Sequence, residues 1–322
     1  MTTIAVTGAN GFVGRSLVAI LSEAGHRVLA LVRREDAVPA DREVADYHVV
    51  PELRDEDAVA SAISGADALI HLAARAHVMN DTTVDPDQAF REVNVLGSEA
   101  VLAACKASGV RRFVYVSSIK VNGESTQGQP FRPGDTPNPQ DPYGRSKLEA
   151  EQLLSSGCAD AAIELCIVRP PLVYGPGVKG NMLRLMKLVR RGAPLPFRGL
   201  RNRRSIVAVD NLARLLERCA AHPGAIGKTF LVADNGPLTT EQIVRHIAEG
   251  MKRRPRLLPV PVGLLRLAGR LAGRSAEVSR LVGSLEVDAS DTSGSLDWRP
   301  AVDGAQALRA MSASFVEHDW ES

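Results

Sequence analysis

The stretch Ile4-Ala5-Val6-Thr7-Gly8-Ala9-Asn10-Gly11-Phe12-Val13-Gly14 decides how the chain folds. A short apolar run passes straight into three glycines spaced by three, and a helical pattern follows from Phe12 to Ala24. Glycines at those positions let the backbone turn tightly, approach a diphosphate and pack the helix onto the strand. The helix N-terminus then offers free N–H groups and the positive end of its dipole to an anion. A second apolar run, Arg27–Val32, follows at once. The pattern predicts a dinucleotide-binding turn, with Gly8, Asn10, Gly11, Phe12, Val13 and Gly14 on the cofactor.

Working outward, strands are expected at Ile4–Thr7, Arg27–Val32, Tyr47–Val50, Ala68–Leu72, Arg112–Val116 and Glu164–Val168. Helices are expected at Phe12–Ala24, Asp55–Ile63, Gln88–Ser108 and Tyr143–Ser155. Several strands are apolar throughout, as in a parallel sheet covered on both faces. Beyond residue 170 prolines punctuate short helices and few strands. The expected architecture is α/β: a Rossmann-like, doubly wound parallel sheet over residues 1–170, and a smaller, irregular α/β substrate-binding lobe over 171–322, interleaved with the sheet.

The composition agrees with an ordinary globular chain of 322 residues, 45% hydrophobic and 24% charged. Thirty-nine Lys and Arg against 37 Asp and Glu leave a formal charge of +2, which argues against nucleic acid as partner. Cys105, Cys158, Cys166 and Cys219 form no CxxC pair, so buried free thiols are expected and neither a metal site nor a disulfide framework. The strand reading of the first residues leaves no signal peptide, giving a cytoplasmic expectation. The run from Leu257 to Ala272 is broken by Pro259, Pro261, Arg266 and Arg270. With Arg274 continuing the four-residue spacing, it reads as an amphipathic helix whose leucines face a core, without membrane insertion.

The end of the second strand bears on the cofactor. A site for NAD places an acidic residue there for the ribose 2′-hydroxyl, whereas this chain has Val32-Arg33-Arg34. A guanidinium forms charge-assisted bonds to a 2′-phosphate that a carboxylate would repel. Arg33, helped by Arg34, therefore favours NADP(H), with NAD(H) as the alternative if both arginines are solvated and Glu35 or Asp36 reaches the ribose.

Tyr143 and Lys147 stand four apart, on one face of a helix. A cation beside a phenol favours phenolate and makes tyrosine usable as an acid/base. Ser117-Ser118 ends the strand Arg112–Val116, at the sheet edge where such folds place their chemistry. With His71-Leu72-Ala73-Ala74, Asn94-Val95-Leu96-Gly97 and the run Arg169 to Gly177, these motifs resemble the extended short-chain dehydrogenases/reductases of the nucleotide-sugar epimerase/dehydratase type, over nearly the whole chain.

That resemblance implies catalytic roles for Ser118, Tyr143 and Lys147: carbonyl polarisation, proton exchange with the sugar oxygen, and lowering of the tyrosine pKa. It implies cofactor contacts from Glu52, Leu53, Leu72, Ala73, Ala74, Asn94, Val116, Ser117 and Pro170, besides the glycine turn, Arg33, Arg34, Tyr143 and Lys147. Lys120, Asn181, Met182, Arg204 and Arg280 are implied for the nucleotide sugar, the arginines on its diphosphate. A homodimer through the helices Gln88–Ser108 and Tyr143–Ser155 is also implied. After the serine the chain reads Ser118-Ile119-Lys120, without the Asp-Glu pair of the family's dehydratases. The expected activity is NADPH-dependent reduction of a UDP-linked 4-keto-6-deoxy-hexosamine for surface polysaccharide. An NAD-dependent UDP-hexose 4-epimerase is the alternative, and a non-catalytic NADP-binding sensor the third reading.

Overall fold

A computed structural model describes residues 1–39, 43–76, 85–273, 275–318 and 320. Nine strands form within them: β1 Thr3–Thr7, β2 Arg27–Val32, β3 Asp46–Val49, β4 Ala68–His71, β5 Arg112–Val116, β6 Glu164–Arg169, β7 Leu172–Tyr174, β8 Ile206–Ala208 and β9 Thr229–Leu231. Seven make one parallel sheet in the order β3-β2-β1-β4-β5-β6-β9, and β7 and β8 pair separately. The order reverses between β1 and β4, so a crevice opens beyond the carboxyl ends of those two strands.

Alternation along each strand explains why the strands look apolar from end to end. Ile4, Val6, Val28, Ala30 and Ile70 face one core, which is closed by the helices Phe12–Glu23 and Val209–Ala221. Ala5, Leu29, Leu31, Leu69, Phe113 and Tyr115 face the other, beneath Glu56–Ala62, Gly97–Ser108 and Pro142–Asp160. Both faces are dry, so neither can alternate with polar residues. The expected cysteine thiols are free and buried in these layers.

The expected helix Gln88–Ser108 is three pieces: Pro86–Arg91, a π-helical stretch Glu92–Leu96, and Gly97–Ser108. Such a bulge re-aims one residue, and here that residue is the buried Asn94. Beyond residue 170, β9 joins the main sheet beside β6, while Tyr174, Met186, Ile247, Met311 and Phe315 centre a third core.

One expectation is reversed. In the helix Val262–Leu271 it is Val262 and Leu265 that pack on the third core, whereas Leu264, Leu267 and Leu271 are exposed. The helix therefore has two apolar faces, and three of its four leucines, all read as facing a core, lie on the outer one. Arg274 lies outside the described residues. Among those residues no helix is long and apolar enough to cross a membrane.

Charge is also buried. Arg169, at the end of β6, donates from Nε and Nη2 to both oxygens of Glu151 at 2.9 and 2.6 Å, and from Nη1 to Asn122 at 3.0 Å. Both side chains are under a tenth exposed. Removing one partner of such a pair strands a charge at a cost of about 3–5 kcal/mol, while replacing both by apolar groups is far cheaper. Arg169→Met should lose stability on that scale in urea unfolding. The double variant Arg169→Met/Glu151→Leu should recover more than half of the loss.

Candidate active site

The glycine turn is held by close packing. Gly8 has φ +68°, and a Cβ there would lie 2.9 Å from the Ala73 nitrogen; one at Gly14 would lie 2.3 Å from the Gly8 carbonyl. The following helix has no side-chain cap and no acidic residue in its first turn, so its N–H groups are left for an anionic group. Val13 packs on the first core and Phe12 on the third, which seats the second lobe against the turn. Asn10 and Gly11 are exposed at the tip. A dinucleotide fits this cradle: backbone donors are open where a side chain would close the approach.

The neighbouring strand ends supply the remainder. Leu72, Ala73 and Ala74 follow β4, Val116, Ser117 and Ser118 end β5, and Pro170 follows β6. The Ser117 hydroxyl is buried and makes no hydrogen bond within the described residues. Arg33 and Arg34 follow β2 and are exposed; Arg34 pairs with Asp36 at 3.1 Å, and Arg33 shows no ion pair among the described residues. After β3, Glu52 is exposed and Leu53 packs partly on the second core.

A buried hydrogen-bond chain joins the turn to the catalytic helix. The Ala73 N–H donates to Thr7 Oγ1 at 3.2 Å, and Thr7 Oγ1 lies 2.6 Å from His71 Nδ1. His71 Nε2 lies 3.0 Å from Ser98 Oγ, which donates to the Asn94 carbonyl at 2.6 Å. Since the Ser98 proton is committed to Asn94, its oxygen must accept from His71 Nε2–H, and Nδ1 must accept from Thr7. Burial, then the Lys147 charge, lowers the His71 pKa to about 3, so the ring stays neutral and this tautomer is fixed. Asn94 continues the chain: its Nδ2 donates to Ser146 Oγ at 2.9 Å, and Ser146 Oγ donates to the Tyr143 carbonyl at 2.8 Å. Thr7, His71, Ser98 and Ser146 were given no role from the sequence, although Thr7, His71 and Ser146 stand inside its motifs.

Tyr143 and Lys147 lie on the helix Pro142–Asp160, N-capped by Asp141. Lys147 is 2% exposed. Its Nζ donates to the Val116 carbonyl at 2.9 Å and stands 4.6 Å from the Tyr115 ring centre and 6.0 Å from that of Tyr143. Burial lowers its pKa to about 7 against the raising effect of Glu151. Burial raises Tyr143 to about 12, while a hydrogen bond with Ser118 favours phenolate and Asp141 opposes it. Lysine was expected to lower the tyrosine pKa; in the protein alone burial wins, and the phenol is held protonated as an acid.

Beside Tyr143 a chain of charged groups forms from distant segments. Lys120 Nζ is ion-paired with Asp141 and lies 3.3 Å from Glu124 and 5.9 Å from the Tyr143 ring centre. Although burial pushes the Asp141 carboxyl up, bonds from Lys120 and the Gly144 N–H hold it below its usual value. Glu124 also receives Arg280 Nη2 at 3.1 Å, and Arg204 Nη1 donates to the Arg280 carbonyl at 3.0 Å. Burial and the Arg280 charge lower the Arg204 pKa. Lys120, Arg204 and Arg280 thus come together through Glu124, which sequence reasoning missed. Met182 does not join them, its side chain being buried in the third core, and Asn181 is exposed in the first turn of the helix Gly180–Arg190.

Comparison with known proteins follows this geometry. Residues 4–233 match the model of the NAD dependent epimerase/dehydratase family. The chain is 39% identical over 322 residues to a UDP-glucose 4-epimerase of Vibrio cholerae, covering 98% of this chain and 96% of that one. It is 31% identical over 252 residues to a 2-alkyl-3-oxoalkanoate reductase of Stenotrophomonas maltophilia, covering 76% and 74%. A UDP-glucose 4-epimerase from Thermotoga maritima, solved with UDP-glucose, shares the fold with a TM-score of 0.77 at 22% identity, covering 98% of this chain and 99% of that one.

The buried lysine gives a pH signature. Its folded pKa of about 7 lies below the 10.5 of an unperturbed lysine, so between these values the unfolded chain binds the extra proton and stability rises with pH. Thermal unfolding of wild type and Lys147→Met should diverge from pH about 7 to about 10, wild type gaining on the variant as pH rises. A constant difference would contradict the lysine's burial.

Proposed function

The chain belongs to the NAD dependent epimerase/dehydratase family, and on that premise we propose that it is a UDP-hexose 4-epimerase. The observation that carries the reading is the 39% identity over almost the full length of both chains with a relative of that activity, in a chain that keeps Ser118, Tyr143 and Lys147 together. The expected 4-keto reductase gives way to its alternative, because the relative that matches this chain over almost the full length of both is an epimerase.

The residues divide the work as follows. Ser118 and Tyr143 face the sugar oxygen at C4; the serine polarises it, and the phenol holds or gives the proton there. Lys147, fixed by Val116 and Tyr115, sets how readily that phenol ionises. The Gly8–Gly14 turn would hold the dinucleotide's diphosphate, and Asn94, Ser117 and Pro170 would flank its ribose and ring. When bound, the nicotinamide supplies reversible hydride acceptance at C4. Arg204 and Arg280 hold the diphosphate of the sugar nucleotide, and Lys120 stands between them and Tyr143. Two copies joined through the helical faces 86–108 and 142–160 belong to the same proposal; Val93 is exposed there.

A recycled cofactor is ordinarily NAD, and the epimerase reading takes NAD as resident. Arg33, exposed just after β2, favours a second reading in which NADPH is consumed by a 4-keto reductase. Michaelis constants for the two cofactors with a 4-keto sugar separate these: a clear NADPH preference that Arg33→Asp abolishes would establish the second reading.

The main test is interconversion of UDP-galactose and UDP-glucose by the purified protein without added cofactor. Tyr143→Phe should keep the fold and lose about 10²–10⁴-fold in kcat. No interconversion by the wild type would overturn the proposal.

A further inference from the structure

The segment from residue 250 to 275 carries seven positive charges and no Asp or Glu, in a chain whose net charge is only +2. The remainder of the protein is therefore net negative, and this segment carries the excess of positive over negative charge. Lys252, Arg253, Arg254, Arg256, Arg266 and Arg270 are all exposed.

The same segment carries four leucines that are each about half or more exposed. Leu264, Leu267 and Leu271 are 57, 52 and 83% exposed, and Leu258 is 48% exposed. The spacing 264, 267, 271 places three of them on one stripe of the helix Val262–Leu271, opposite the side carrying Val262 and Leu265. Arg266 and Arg270 fall between the two faces, flanking the exposed stripe. An outward apolar stripe bordered by guanidinium groups, short of a spanning length, is the pattern of a helix lying in a lipid–water boundary.

We infer that this face docks the protein peripherally on an anionic phospholipid surface, with Leu258, Leu264, Leu267 and Leu271 entering the acyl boundary and the surrounding basic residues meeting the headgroups. Charge complementarity selects this occupant. A second copy related by a two-fold axis would set these six exposed cations against the same six, with no Asp or Glu of the segment to pair them. A nucleic acid would satisfy the arginines but leave the leucines in water. An acidic bilayer satisfies both.

The inference is independent of the sugar chemistry, since none of these residues contributes to the active site. Flotation of the full-length protein with vesicles tests it, using phosphatidylcholine alone and phosphatidylcholine mixed with phosphatidylglycerol. Binding should require phosphatidylglycerol and weaken with added salt. Leu264→Gln/Leu267→Gln/Leu271→Gln and Arg266→Gln/Arg270→Gln should each reduce the bound fraction by about tenfold, because apolar insertion and charge act together. Both variants should keep wild-type thermal unfolding. Absence of wild-type binding would overturn the inference. So would binding that survives the leucine substitutions, which would mark a general polyanion site, and so would a leucine variant that turns a dimer into a monomer in sedimentation equilibrium.

Discussion

The hydrogen-bond chain from Thr7 through His71, Ser98, Asn94 and Ser146 to the Tyr143 carbonyl is the constraint on which the rest depends. It begins at the end of β1, one residue before the glycine turn, and ends on the backbone of Tyr143. Each group in it is buried and each proton has one destination, so the chain has a single direction and a single register. A buried network satisfied in this way fixes geometry because every alternative arrangement leaves a polar group unpaired. The neutral state of His71 is part of that logic: a second ring proton would leave Nδ1 and the Thr7 hydroxyl donating toward each other. Lys147 helps to prevent it, since its charge adds to burial in lowering the His71 pKa. The lysine beside the reacting phenol thus also stabilises the scaffold that places it.

Charge is arranged in zones around that scaffold. Innermost, Lys147 and Tyr143 are moved toward their neutral forms by burial, one downward and one upward. Beside them Asp141, Lys120, Glu124 and Arg280 form a chain of paired ions, and Arg204 joins it through the Arg280 carbonyl, so that the carboxylates hold Lys120 and Arg280 in place. Farthest out, the basic segment of the second lobe is left unneutralised. Net charge conceals all three zones, because the positive charge is concentrated locally and the negative charge is dispersed.

Much of the sheet was legible because its signals are local. Arg27–Val32 and Arg112–Val116 have the expected ends; the glycine turn and Ser118 follow strand ends, and Lys147, on the helix Pro142–Asp160, reaches the end of β5 at the Val116 carbonyl. What the sequence concealed depends on partners far along the chain. The bonds of His71 reach 64 residues back and 27 forward, and Glu151 meets Arg169 across 18 residues and two elements. The π-helical stretch at Glu92–Leu96 has the composition of the helix around it, so periodicity could not expose it. The outward leucines of Val262–Leu271 were misread for a related reason: two apolar faces on one helix give the same count of leucines as one broad face, and only the packing shows which side is covered. The expectation of a reductase came from Arg33 and Arg34 and from two short runs, 118–123 and 203–211, local signals set against full-length similarity that favours an epimerase.

The central claim is that the hydrogen removed from C4 of the sugar returns to the same carbon. UDP-galactose carrying deuterium at C4, incubated with the protein in ordinary water and followed by NMR and mass spectrometry, tests it most directly. The account predicts UDP-glucose that retains the deuterium at C4, without release to solvent and without added reductant. Product that has lost the label, or that forms only as NADPH is consumed, would contradict it.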